Sequence, residues 1–287
     1  MKQKLISFLN SCDVDDVIIS NSLKDFLSAE EIKKRAFFIE DPRSMMYIAT
    51  GIAAETQNTV IAICRGNNES RSTYSGLTEA YYRKLPILFI TIGKELDYSI
   101  ELNDCCIGKY TSIESIDLAL SKVKEYSMPI HLEIDLNKDM TKKITLNKNT
   151  TKVLNDAIDD ECYVFMSQSI SSDLINIRGK LVSNEGCNGS EGCLANVLGA
   201  SLAKKRKKYI GILSEKEFIH DINTLGNINA NDLLFYIVLS NNYNSFIKTY
   251  SNELGYNYQE IQEKELTLDF LSAMINSEKK NVLNLVQ

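Results

Sequence analysis

Ile39-Glu40-Asp41-Pro42-Arg43-Ser44 is the stretch on which the fold is read. Aspartate caps a helix by accepting main-chain N–H groups, and proline suits the first helical position, where its missing N–H is not needed. The pair predicts a helix over Pro42 to Thr56. The short apolar runs on either side, Ala36 to Ile39 and Thr59 to Cys64, predict strands. Their apolar residues are consecutive rather than alternate, which is the pattern of parallel strands buried on both faces.

Working outward, the same alternation continues. Strands are predicted at Val17 to Ile19, Ile87 to Ile92 and Ile130 to Ile134, with helices at Lys2 to Ser11, Ser70 to Arg83 and Ser112 to Tyr126. A second series follows, with strands at Tyr163 to Met166, Lys180 to Val182, Tyr209 to Leu213, Leu234 to Leu239 and Val282 to Val286. Its helices are expected at Glu191 to Lys204, Glu217 to Leu225, Ser245 to Glu253 and Thr267 to Asn276. Between the series, 137–159 is rich in Lys, Asn and Thr, lacks an apolar period and reads as a linker. The expectation is an α/β protein of two open, mostly parallel sheets, occupying 1–136 and 160–287. Neither half carries GxGxxG or GxxxxGK[ST].

Composition narrows the function classes. A chain of 287 residues can bury roughly three-quarters of its unfolded surface. The formal charge of −6 argues against a nucleic-acid surface. The one basic run, Lys204 to Lys208, reads as a solvated helix end. No window approaches the ~18 apolar residues of a membrane span. The opening Met1-Lys2-Gln3-Lys4 and the short apolar run after it do not read as a signal peptide. Seven cysteines without a CxxC pair suggest free thiols in a cytoplasmic protein and no zinc site.

Four ordered blocks resemble the thiamine-diphosphate-dependent enzymes, in particular the menaquinone-pathway carboligase and the acetolactate-synthase-like members. Residues 39–64 and Leu77-Thr78-Glu79-Ala80-Tyr81-Tyr82-Arg83-Lys84-Leu85-Pro86 resemble the pyrimidine-binding domain. Ser183 to Gly192 resembles the glycine-containing N-R-G-A-S-G-I-D-G segment of the diphosphate-binding domain. Ser214-Glu215-Lys216 falls on that domain's G-D-G-like start, followed by Phe218-Ile219-His220-Asp221-Ile222-Asn223. Asn241-Asn242-Tyr243-Asn244 falls on its closing N-N-x-G. The family's large middle domain has no counterpart, as in its smaller decarboxylase relatives.

The resemblance implies thiamine diphosphate with Mg2+ as cofactors, and a 2-oxo acid as substrate of a decarboxylase or carboligase. It implies cofactor contacts at Asn67, Asn68, Gly186, Gly189, Ser214 and His220, and metal ligands at Glu215, Asn242 and Asn244. It also implies at least a homodimer, because in the family the cofactor lies between domains of two subunits. The sequence departs from the pattern where the chemistry is done. The family's pyrimidine-activating glutamate is replaced by Pro42, which has no side-chain acid. Glu40 and Asp41 are the nearest substitutes, but a one-residue slip re-aims a side chain by about 100° on a helix and about 180° on a strand. Arg65-Gly66-Asn67-Asn68-Glu69 replaces a loop of small residues, and Glu215 lengthens the metal carboxylate by a methylene. Three readings follow: a divergent, degenerate enzyme; a non-catalytic partner of an intact paralogue; or a binder of another phosphorylated metabolite. By their own pattern, His220 and Asp221 read as helix and interface residues.

Overall fold

The computed structural model describes residues 1–66, 68–93, 104–135, 143–170, 176–183, 192–227 and 232–287. The chain divides into two compact units, Met1–Met140 and Thr141–Gln287.

The first unit begins with α1 (Lys2–Ser11), followed by β1 (Asp16–Ser20), β2 (Arg35–Ile39), α2 (Pro42–Thr56) and β3 (Val60–Arg65). It continues through α3 (Asn68–Ser72), α4 (Tyr74–Tyr82), β4 (Ile87–Ile92), β5 (Lys109–Tyr110), α5 (Ile116–Tyr126) and β6 (Ile130–Ile134). Its sheet runs β2-β1-β3-β4-β6-β5 with every pair parallel. Alternate strand residues serve opposite faces. Val17, Ile19, Ile61, Ile63, Leu88 and Ile90 pack under α1 and α5. Ile18, Val60, Ala62, Ile87 and Phe89 pack under α2 and α4.

The second unit begins with α6 (Lys148–Ala157), β7 (Cys162–Met166), β8 (Lys180–Val182), α7 (Cys193–Leu202) and β9 (Lys208–Ser214). Next come α8 (Glu215–His220), α9 (Thr224–Asn227), β10 (Leu234–Ser240), α10 (Ser245–Glu253), β11 (Asn257–Gln262), α11 (Leu268–Asn276) and β12 (Asn281–Val286). Its sheet, β8-β7-β9-β10-β12-β11, is again all parallel. Counted within its own unit, each sheet has the strand order 2-1-3-4-6-5. The expected pair of parallel α/β sheets is therefore what the chain forms.

Several boundaries differ for physical reasons. The stretch expected as a linker contains α6, which opens the second unit as α1 opens the first. Its buried positions are Thr150, Thr151, Val153 and Leu154, so half of its inward face is threonine and the apolar period is hidden. The edge strands β5 and β11 escape the sequence pattern because each is half-exposed and polar, as in Asn257-Tyr258-Gln259-Glu260-Ile261-Gln262. The helix expected over Ser70 to Arg83 is broken at Thr73 into α3 and α4. Lys208 does not belong with the solvated basic run. It is 1% exposed, and its ammonium donates to the main-chain carbonyls of Asp232, Ser277 and Lys279 at 2.9, 2.7 and 3.1 Å.

Gly211 in β9 is closely packed in the second sheet. A Cβ there would lie 2.9 Å from Tyr236 Cδ1 and 3.1 Å from Val197 Cγ2. Both neighbours are fully buried, so neither has room to yield. Gly211→Ala is expected to cost about 1–3 kcal/mol by overpacking, read as a lower denaturant midpoint at unchanged slope.

Candidate functional site

In an open parallel sheet, ligands favour the crevice beyond the carboxyl ends of the strands, where neighbouring connections leave in opposite directions. Each unit has one such switch point, between its first and third strands. These lie between β1 and β3 and between β7 and β9.

In the first unit, Ser20 ends β1 and Ser22 follows it, with their hydroxyls 3.0 Å apart. Arg65 ends β3. Its Nη2 reaches across to the Ser22 carbonyl at 2.8 Å, and its main-chain N–H donates to the Glu69 carboxylate at 2.9 Å. The Arg65 Nε is buried without a partner among the described residues. Asn68 opens α3, and Asn67 lies outside the described residues.

Of the two acids beside β2, Asp41 is engaged in starting α2 and Glu40 is held by a side chain from the loop after β1. Asp41 accepts the N–H groups of Arg43 and Ser44 at 3.0 and 3.2 Å and the Ser44 hydroxyl at 2.6 Å. Pro42 is the buried first residue of the helix. Glu40 accepts the side-chain amide of Asn21. A depression at the start of this helix is lined by Arg43, Ser44, Tyr47, Ile48 and Ser75. Asp41 lies 3.8 Å from its Arg43, which offsets the charge an anion would meet.

The second unit repeats the serine-and-glutamate device with stronger bonding. Glu217 is 3% exposed. One of its oxygens accepts the Ser214 N–H at 2.8 Å, the Ser214 hydroxyl at 2.8 Å and the Ser169 hydroxyl at 3.0 Å, while the other accepts the Ser167 hydroxyl. Ser214 and Glu217 form a capping box at the start of α8. Ser-x-x-Glu before a helix is a legible signal for that box, but nothing local points to Ser167 or Ser169. The hydroxyl and amide of Ser214, expected to face a cofactor, are both committed to Glu217.

Of the three expected metal ligands, Glu215 and Asn244 meet at the ends of β9 and β10, and no bond joins Asn242 to either among the described residues. The Asn244 side-chain amide donates to Glu215, and its oxygen accepts the N–H groups of Phe246 and Ile247 at 3.0 and 3.1 Å as the cap of α10. The Asn244 main-chain carbonyl accepts from Lys248, and that of Asn242 accepts from Ser240. A second carboxylate, Glu260 on β11, accepts Tyr258 Oη at 2.6 Å, Asn284 Nδ2 at 2.8 Å and the Asn244 N–H at 3.4 Å. Burial, with the bond to Glu260, pushes the Tyr258 hydroxyl well above its ordinary value.

This arrangement occupies several of the oxygens that a magnesium–diphosphate group would use. Hard cations need several free oxygens in near-octahedral array, whereas Glu215 Oε1, Asn244 Oδ1 and the Asn242 and Asn244 main-chain carbonyls already hold protein donors. Among the described residues, no three His, Cys, Asp or Glu side chains group as a metal site. His220 ends α8, with Nδ1 3.4 Å from Asp221 Oδ1. It lies about 7.5 Å along the helix from Glu215 by helical rise. Gly186 and Gly189 lie outside the described residues.

No protein-family model and no curated protein sequence matches this chain. Among solved structures, a protein from Mycobacterium smegmatis provisionally described as a thiamin diphosphate-dependent enzyme matches over 99% of this chain and 98% of its own. The identity is 9% and the TM-score 0.40. No helix among the described residues is long and apolar enough to cross a membrane.

Proposed function

We propose that this protein is a divergent homologue of the thiamine-diphosphate-dependent 2-oxo-acid decarboxylases and carboligases, with cofactor-dependent turnover reduced or absent. The observation that carries the reading is the commitment of Asp41. The residue beside the missing acid has both carboxylate oxygens on the start of α2, and Pro42 offers no replacement. The Glu215–Asn244 bond gives the same reading at the expected metal position. In both places, groups of the type that would hold or activate the cofactor instead stabilise helix starts. The fold is kept, and the protein acts as a binding or assembly partner, as a homodimer or beside an intact paralogue.

Thermal unfolding with thiamine diphosphate, with and without Mg2+, tests this. A ligand specific for the folded state adds about 2.7 kcal/mol at a hundredfold excess over its dissociation constant. The expected result is no magnesium-dependent rise in Tm at millimolar cofactor and no turnover of 2-oxo acids. A magnesium-dependent rise accompanied by turnover would overturn the proposal.

A further inference from the structure

Among the described residues, the outer strands of the two sheets are β2, β5, β8 and β11. β5 has two residues and β8 three, while β11 carries Asn257, Gln259, Glu260 and Gln262 along its length. β2 differs: it is Arg35-Ala36-Phe37-Phe38-Ile39, apolar after its first residue. Shortness, charge and proline are the usual guards of a sheet edge against pairing with another chain. The one charge on β2 is no guard, because the Arg35 guanidinium is turned back to Asp16 on β1 at 2.5 and 2.8 Å. Phe37 stands 39% exposed. The Arg35 N–H donates to the Asp15 carbonyl at 3.1 Å, so the main-chain groups of Arg35, Phe37 and Ile39 face β1. Successive residues of a strand direct these groups to opposite sides, and those of Ala36 and Phe38 face outward.

The charges flanking this edge are arranged symmetrically about Phe37. Lys33 and Lys34 precede the strand, and Glu40 and Asp41 follow it. We propose that β2 pairs antiparallel with β2 of a second copy of this chain, about a two-fold axis at Phe37, joining two first-unit sheets edge to edge. Ala36 then exchanges N–H···O=C bonds with Phe38 of the second copy, and Phe38 with its Ala36. Phe37 meets Phe37 on the axis, at a non-hydrogen-bonded pair, where opposed side chains come closest. Lys34 lies opposite Glu40 of the second copy, and Glu40 opposite its Lys34. The edge is therefore self-complementary in hydrogen bonds, apolar surface and charge, as a two-fold interface requires. In-register parallel pairing would instead oppose Lys34 to Lys34 and Glu40 to Glu40, which is unfavourable. The proposal rests on the homodimer of the proposed function and supplies its contact surface.

Sedimentation of wild-type protein from about 1 μM to 1 mM is expected to show monomer giving way to dimer, since a strand this short makes a small interface. Hydrogen exchange at the Ala36 and Phe38 amides should slow as the dimer forms, while the Phe37 amide, which faces β1, is unchanged. Phe37→Lys sets two ammonium groups together on the axis, and Ala36→Pro removes an outward donor without touching the bonds to β1. Each is expected to raise the dissociation constant about tenfold or more. Lys34→Glu and Glu40→Lys each oppose like charges and should weaken the dimer singly, whereas an equal mixture of the two variants should recover it. A wild-type monomer throughout the range would overturn both this proposal and the homodimer reading. A dimer unaffected by Phe37→Lys and Ala36→Pro, or no recovery on mixing the charge variants, would overturn the strand pairing and leave the homodimer reading standing. Where a variant fails to fold, exchange in the wild-type dimer decides: unslowed Ala36 and Phe38 amides would overturn the pairing.

Discussion

Glu217→Ala is expected to lower the stability of the second unit by roughly 3 kcal/mol, and Glu217→Gln by only about 1 kcal/mol. The reason is the number of donors aimed at one buried carboxylate. Ser167, Ser169 and Ser214 donate their hydroxyls and Ser214 adds its main-chain N–H. Alanine leaves these groups in a site where Ser167 is 1% and Ser214 7% exposed, and the capping box of α8 is lost with them. Glutamine keeps one oxygen for the Ser214 N–H, and its amide can donate to a serine hydroxyl rotated to accept. Denaturant unfolding of the three proteins measures the difference. Equal losses for Ala and Gln would mean that side-chain volume, not hydrogen bonding, sets the effect.

Lys208→Met is expected to cost about 3 kcal/mol, although methionine fills nearly the same space. The ammonium has three hydrogens, and three carbonyls converge on it from Asp232, Ser277 and Lys279. The Lys279 carbonyl also accepts the Asn281 side-chain amide. Methionine therefore strands chiefly the other two carbonyls, each at about 1–3 kcal/mol, partly offset by removing a buried charge. The pH dependence supplies a second readout. Burial draws the Lys208 ammonium down to about 8 from an ordinary 10.5. Between these values the unfolded chain binds the proton more than the folded chain does, so this group's contribution to stability rises with pH across that window. Wild-type protein should show that slope from about pH 8 to 10.5 relative to Lys208→Met. Parallel curves for the two proteins would contradict it.

Much of the fold was legible because its signals are local. Asp41 and Pro42 mark the start of α2, and the structure begins that helix at Pro42. The central strands β4 and β10 are buried at every position, so their apolar runs stand out. Elements that bury one face, or bury it with threonine, were hidden. β11 alternates polar residues along an edge, and α6 turns Thr150 and Thr151 inward. Lys208 sits in a run of five basic residues, four of them exposed. Nothing local separates it from its neighbours, because its partners come from two turns further along the chain.

The candidate site divides in the same way. Glu215, Asn242 and Asn244 were singled out in the sequence, and Glu215 does meet Asn244, 29 residues away. That the meeting takes the form of a protein hydrogen bond was not legible. Ser167 and Glu217 are 50 residues apart, brought together only because β7 and β9 are sheet neighbours. By itself, the sequence determined the alternation of helix and strand, the helix starts and the absence of an acid at position 42, since propensity, capping and residue identity act within a few residues. Tertiary structure alone decided the shared strand order of the two sheets, the burial of Lys208, the meeting of Glu215 with Asn244 and that of Glu217 with Ser167 and Ser169. Strand order and charge pairing depend on which distant segments become neighbours.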